Sequence, residues 1–176
     1  MGFPGKRFLV VSLCLCLGIG SVGGALAAAA EPVNFKQLLP LVTVKLPGWE
    51  MEGDPRGSTM KNPGFTFSEV EATYKQGDKT LVIRIMDNPQ AAMAFMAMGY
   101  AQGMVMESTE ETIKGVKISD CPGIETFRPK EKEAKIDLIT ANRFMVTMEG
   151  QGFDNAEELK NLLQHVDLAK LAELAK

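Results

Sequence analysis

Between Phe65 and Glu149 apolar residues recur at every second position in short runs separated by turn-forming residues. A period of two is the mark of strands that bury one face and leave the other wet. Val70, Ala72 and Tyr74 alternate with Glu69, Glu71 and Thr73. In the next run Leu81, Ile83 and Ile85 share one side while Val82, Arg84 and Met86 share the other, and Gln76-Gly77-Asp78 turns the chain between them. The two runs predict a β-hairpin. Phe65 and Phe67 are out of phase with Val70, which predicts a bulge near Ser68. Four more short strands are expected at 112–118, 124–128, 135–140 and 144–149, with turns at 119–123, 129–133 and Ala141-Asn142-Arg143. Each reads as an antiparallel strand with a wet back face.

Helical signals flank this array. Asn34 is followed by Phe35, Leu38, Leu39 and Val42, an N-capped amphipathic pattern that Pro40 is expected to stop. Pro47-Gly48-Trp49-Glu50 begins a strand with the only Trp, and 52–64, rich in Gly, Pro and Asp, reads as a loop. Asn88-Pro89 opens a helix expected over 90–104. After Gly150-Gln151-Gly152, Asp154 with Glu157 forms a capping box for a helix carrying Leu159, Leu162, Leu163 and Val166. Asp167 then caps a last turn with Leu168, Leu171 and Leu174. The expected fold class is α+β, a mostly antiparallel sheet of about six or seven strands flanked by helices.

The first 30 residues have the three parts of a secretory signal. Lys6 and Arg7 make a basic start, an apolar run follows from Phe8, and Ala25-Leu26-Ala27-Ala28-Ala29-Ala30 offers small residues for cleavage after Ala30. Leu13 and Leu15 precede Cys14 and Cys16, where a lipid-attachment site needs a small residue, so no lipidation is expected. The expectation is a leader at 1–30 and a single domain at 31–176, in the periplasm or otherwise exported, with no stable membrane span after cleavage.

Charge and rare residues exclude several function classes. The chain carries 19 Lys and Arg against 22 Asp and Glu, and the balance grows more acidic once Lys6 and Arg7 leave with the leader. No nucleic-acid partner is expected of such a surface. His165 is the only imidazole, and in the last turn of a helix it suits the dipole rather than catalysis. Beyond the leader Cys121 stands alone, so neither a disulfide framework nor a zinc site has its ligands. None of Ser58, Ser68, Ser108 and Ser119 lies in a Gly-x-Ser-x-Gly elbow. Glu107, Glu110 and Glu111 cluster without calcium-loop spacing, and with Glu69 and Glu71 they read as solvated charge. No catalytic residues and no cofactor are expected.

Methionine is the unusual residue. Five of the 11 lie between Met93 and Met106. On a helix of about 100° per residue, Met93, Met96, Ala97, Tyr100 and Met104 fall on one narrow stripe, which is what a sheet-facing helix presents. Phe95 and Met98 point the opposite way, and a second apolar face suits an adaptable contact. The expected contact residues are therefore Phe95, Met98, Met104 and Met106, facing a protein partner or a small apolar ligand. The alternative is Cu(I) held by the soft thioethers of Met98, Met104 and Met106.

Five segments fall in a suggestive order: Leu46-Pro-Gly-Trp-Glu50, the hairpin ending at Asp87, Pro122-Gly-Ile-Glu125, the Asn142–Gly150 strand and Val166-Asp-Leu-Ala-Lys-Leu171. Together they resemble uncharacterised exported bacterial proteins similar to the Mog1/PsbP-like fold. The resemblance implies an antiparallel sheet flanked by helices and a non-enzymatic binding or accessory role. It carries over no site residues.

Overall fold

A computed structural model, which describes residues 31–62, 65–88, 90, 92, 95 and 103–176, joins the alternating segments into one open antiparallel sheet. In chain order its strands are β1 (Glu50–Met51), β2 (Arg56–Asn62), β3 (Phe65–Gln76), β4 (Lys79–Asp87), β5 (Val105–Glu107), β6 (Thr112–Ile118), β7 (Cys121–Arg128), β8 (Glu133–Thr140) and β9 (Phe144–Gln151). Across the sheet the order is β1, β3, β4, β9, β8, β7, β6, β5, and β2 shares the outer side of β3 with β1. Most neighbours are consecutive in the chain and pair through short turns. The long-range junction is β4 with β9, where Leu81, Ile83 and Ile85 oppose Gly150, Met148 and Val146.

Three short helices cover one face: α1 (Phe35–Val42), α2 (Ala156–Leu163) and α3 (Leu168–Glu173). α1 lies over β2, β3 and β4, while α2 and α3 lie over β7 to β9. Against them the sheet turns Val70, Ala72, Tyr74, Leu81, Ile83, Ile85, Ile136, Leu138, Val146 and Met148, all buried. Each large side chain so covered contributes about 1.5–3 kcal/mol, and this face holds the core. The expected face assignments of β3 and β4 are those observed.

Several local expectations are corrected. No bulge occurs at Ser68: β3 pairs residue for residue with β2 and then β4. Phe65 and Phe67 instead lie on the face away from α1, and Ser68 is buried with its hydroxyl 2.6 Å from that of Thr59. The stretch 52–64 is not one loop, because 56–62 forms β2. Every residue of β2 except the half-buried Thr59 is exposed, so no apolar alternation was imprinted on its sequence. Pro40 does not stop α1, which runs two residues further to Val42. The Trp49 strand shortens to Glu50–Met51. Pro122 and Gly123 belong to β7, and the turn before it is Ser119-Asp120, both at positive φ. Pairing of β7 with β8 starts only at Gly123, so the missing N–H of Pro122 breaks no ladder bond.

The cap of α2 is Asn155, which accepts the Glu158 N–H at 3.2 Å; Asp154 turns out to Lys132 instead. The Asn34 and Asp167 caps are as expected. Of the helix expected over 90–104, Gln90, Ala92 and Phe95 are helical, Gly103 and Met104 are not, and the remainder lies outside the described residues. Among the described residues nine strands replace the expected six or seven, since β2 and β5 were not anticipated. The back face is not uniformly wet either: Ile139 and Ile124 lie opposite the helices and are buried.

Candidate functional site

Phe95 is half-buried, Met98 lies outside the described residues, and Met104 is half-buried just ahead of β5, where its carbonyl accepts the Gly115 N–H at 2.8 Å. Met106 is exposed on β5, and beside it Val105 is 57% exposed. The described residues thus bring Met104 and Met106 to one sheet edge; Met98, the third thioether of the set, is not among them.

Among the described residues that edge overhangs the helix layer. α2 rests on β7, β8 and β9, so β6 and β5 project past it. Side chains alternate across the ladder, which places Val105, Lys114 and Glu125 in one row on the helix side, and Glu107, Thr112 and Phe127 in the next. Between this ledge and the start of α2 lies a cleft of about 200 Å³, lined by Glu107, Lys114, Glu125, Phe127, Asn155 and Glu157 among others. In β5 the pair Met106–Ile113 faces inward to β6, since Gly115 already bonds Met104. By alternation Val105 and Glu107 turn their N–H and C=O groups outward.

Glu125 forms the floor and is only 5% exposed. Its Oε2 lies 2.7 Å from Lys160 Nζ, a close ion pair at a buried position. Lys160 also reaches Glu157 Oε1 at 2.6 Å. Burial works against the Lys160 charge, yet Glu125 and Glu157 outweigh it and hold the ammonium proton above the usual lysine range. A buried ion pair of this kind offsets desolvation only when both partners are present. The lining of the cleft carries three carboxylates, Glu107, Glu125 and Glu157, against the single ammonium of Lys114, with Phe127 as its apolar wall.

The remaining sequence candidates are placed as follows. Glu110 and Glu111 pair with Lys130 and Arg128, and Glu69 and Glu71 both pair with Arg84. These are surface ion pairs. His165 is exposed between α2 and α3. Cys121 is buried with its Sγ 3.1 Å from Thr140 Oγ1. Among the described residues no three His, Cys, Asp or Glu side chains are grouped to hold a metal ion, and no helix is long and apolar enough to cross a membrane.

Sequence reasoning missed Glu125 and Lys160. Glu125 stands among apolar residues at a helix-facing position of β7, and that parity was the one available signal. Its partner comes from an element 35 positions later, where no spacing rule reaches. No family model, no curated protein and no solved structure matches the chain.

Proposed function

We propose that the protein is an exported, non-enzymatic binding domain that takes an extended segment of a protein partner along β5. The observation that carries this is the exposure of Val105 and Met106 on the terminal strand of an open sheet, next to outward-facing backbone groups. Adding a strand satisfies those groups and buries the two side chains. A partner residue can enter the neighbouring cleft, whose carboxylates favour a basic side chain. At about 200 Å³ the cleft suits one side chain and falls below the usual range for small-molecule sites.

Export belongs to the same proposal and is supported by the leader pattern of 1–30, with Glu31 the expected mature N-terminus. The Mog1/PsbP-like likeness is supported by the motif order and the helix-flanked antiparallel sheet. Both are read from the sequence.

A photo-crosslinking residue at position 106 tests the binding edge in the exporting cell. One defined adduct is expected, lost on Val105→Glu with Lys114→Glu and kept when the crosslinker's neighbours are native. No adduct at 106, or an adduct indifferent to both substitutions, would overturn the assignment. The intact mass of the purified protein reads the cleavage position.

A further inference from the structure

The opposite edge of the sheet carries a separate, independent inference. β2 is seven residues long, bounded by Pro55 and Pro63, and its outer side has no strand partner among the described residues. Natural edge strands are usually short, charged, bulged or covered. β2 has no bulge, and its Lys61 is paired at 3.0 Å with Glu31. On the face away from α1 this hairpin exposes Met60 and Phe65, with Phe67 stacked at a tilt against Phe65 at 5.4 Å between centroids.

The hydrogen-bonding parity of β2 follows from its neighbours. Gln76 and Lys79 close the two-residue β3–β4 turn, so the even residues of β3 bond β4 and the odd residues bond outward. Glu52 N–H reaching Thr73 O at 2.7 Å agrees. Glu71, Glu69, Phe67 and Phe65 therefore bond Arg56, Ser58, Met60 and Asn62. Among the described residues, what remains free on the outer side of β2 is the backbone of Gly57, Thr59 and Lys61.

We propose that β2 pairs with β2 of a second copy of this chain, antiparallel about a two-fold axis at Thr59. In an antiparallel ladder only residues with outward backbone groups can bond each other. Centring on Thr59 alone keeps all seven residues paired: Gly57 meets Lys61 of the second copy, Thr59 meets Thr59, and Lys61 meets Gly57. Shifting the centre by one outward residue runs a proline into the ladder. Centring between residues sets the outward backbone groups of one copy against residues of the other whose groups point inward, so no ladder forms.

In the favoured register no charge faces a like charge. Arg56, which has no ion pair among the described residues, lies opposite Asn62 of the second copy, and its guanidinium reaches across that short side chain to the exposed Phe65 ring beyond. A cation over an aromatic face is a favourable contact for both. Lys61 lies opposite a glycine that already yields space to Phe35 of α1. The second copy is thus favoured over an unrelated partner because Pro55 and Pro63 stand four residues either side of Thr59 in the sequence, so the outward hydrogen-bonding groups of β2 match themselves in this one register. The product is one continuous sheet through two subunits, a closed isologous assembly.

Sedimentation equilibrium on the purified chain tests this, over a range from low to high micromolar. A monomer–dimer equilibrium is expected. Lys61→Pro, which removes an outward N–H that the subunit itself does not use, should raise the dimer dissociation constant by at least about tenfold while leaving the far-UV spectrum unchanged. Ser58 and Met60 form a non-hydrogen-bonded cross-axis pair, for which Cα atoms stand about 4.5 Å apart. Ser58→Cys with Met60→Cys should therefore oxidise to a covalent dimer, and Ser58→Cys alone should not. A monomer throughout, a dimer that Lys61→Pro leaves intact, or no crosslink in the double variant would overturn the proposal. None of these outcomes bears on the β5 edge.

Discussion

Arg143 holds the fully buried Asp87 with two nitrogens, Nε to Oδ1 at 2.7 Å and Nη2 to Oδ2 at 2.8 Å. The same Oδ2 accepts the Val33 N–H at 2.6 Å, and Nη2 also donates to the Glu31 carbonyl at 2.6 Å. Asp87 ends β4 opposite Phe144 of β9, so one ion pair fastens residues 31–33 to the long-range junction of the sheet. Arg143→Ala strands a buried carboxylate and is expected to cost about 3–5 kcal/mol, read by urea denaturation. Arg143→Ala with Asp87→Asn should cost less than Arg143→Ala alone, because no unpaired charge remains. Amide exchange at Val33 should rise in both.

Gly150 is required by Phe153. A Cβ there would stand 2.4 Å from the Phe153 ring, which is fully buried and stacks on Trp49 at 5.8 Å between centroids. Gly150→Ala should cost about 1–3 kcal/mol by overpacking. Since Trp49 is the only Trp, a shift in intrinsic fluorescence should accompany the loss. Loss of stability with the native emission spectrum would place the strain elsewhere.

Lys160→Met leaves the Glu125 carboxylate buried without its cation and should cost about 3 kcal/mol or more. Adding Glu125→Leu should recover most of that loss, since the vacated position is then apolar and flanked by apolar neighbours. A double-mutant cycle with additive effects would show that the two side chains are not coupled.

At alkaline pH two groups act in the same direction. Burial raises the Tyr74 phenol above its ordinary value of 10.0, against a smaller opposing effect from the backbone at Val44. The unfolded chain therefore ionises first, and stability present below pH 10 falls as pH rises beyond it. Lys160, also raised, contributes below the ordinary lysine value and loses that contribution above it. Tyr74 donates to Val42 O at 2.6 Å and accepts from the Val44 N–H at 2.9 Å. Tyr74→Phe should cost about 1–2 kcal/mol at neutral pH and flatten the alkaline decline, as measured by thermal midpoints across the pH range.

Much of the central sheet was legible because hairpins are local. Alternation in 70–74 and 81–85 fixed which side chains face the core, and the turn residues fixed where the chain reverses. The two missed strands share one cause. β2 and β5 are edge strands exposed on nearly every residue, so burial selected no pattern in them. Phe65 and Phe67 looked out of phase because the inward position between them and Val70 is Ser68, whose burial is satisfied by a hydroxyl partner on β2 that the sequence does not announce. The candidate site was half legible: the Met104–Met106 stretch drew attention by its thioethers, whereas the cleft beside it is made by α2 arriving from the far end of the chain.

By itself the sequence determined the strands with one apolar face, the capped helix starts at Asn34 and Asp167, and the reversals between neighbours, because each depends on residues within a few positions of one another. Only the tertiary structure decided that β4 pairs with β9, that Lys160 reaches Glu125, that Arg143 meets Asp87, and that β5 and β6 extend past α2. These contacts join positions 35 or more apart, and the free energy that selects them comes from burying whole faces together, a quantity no local spacing contains.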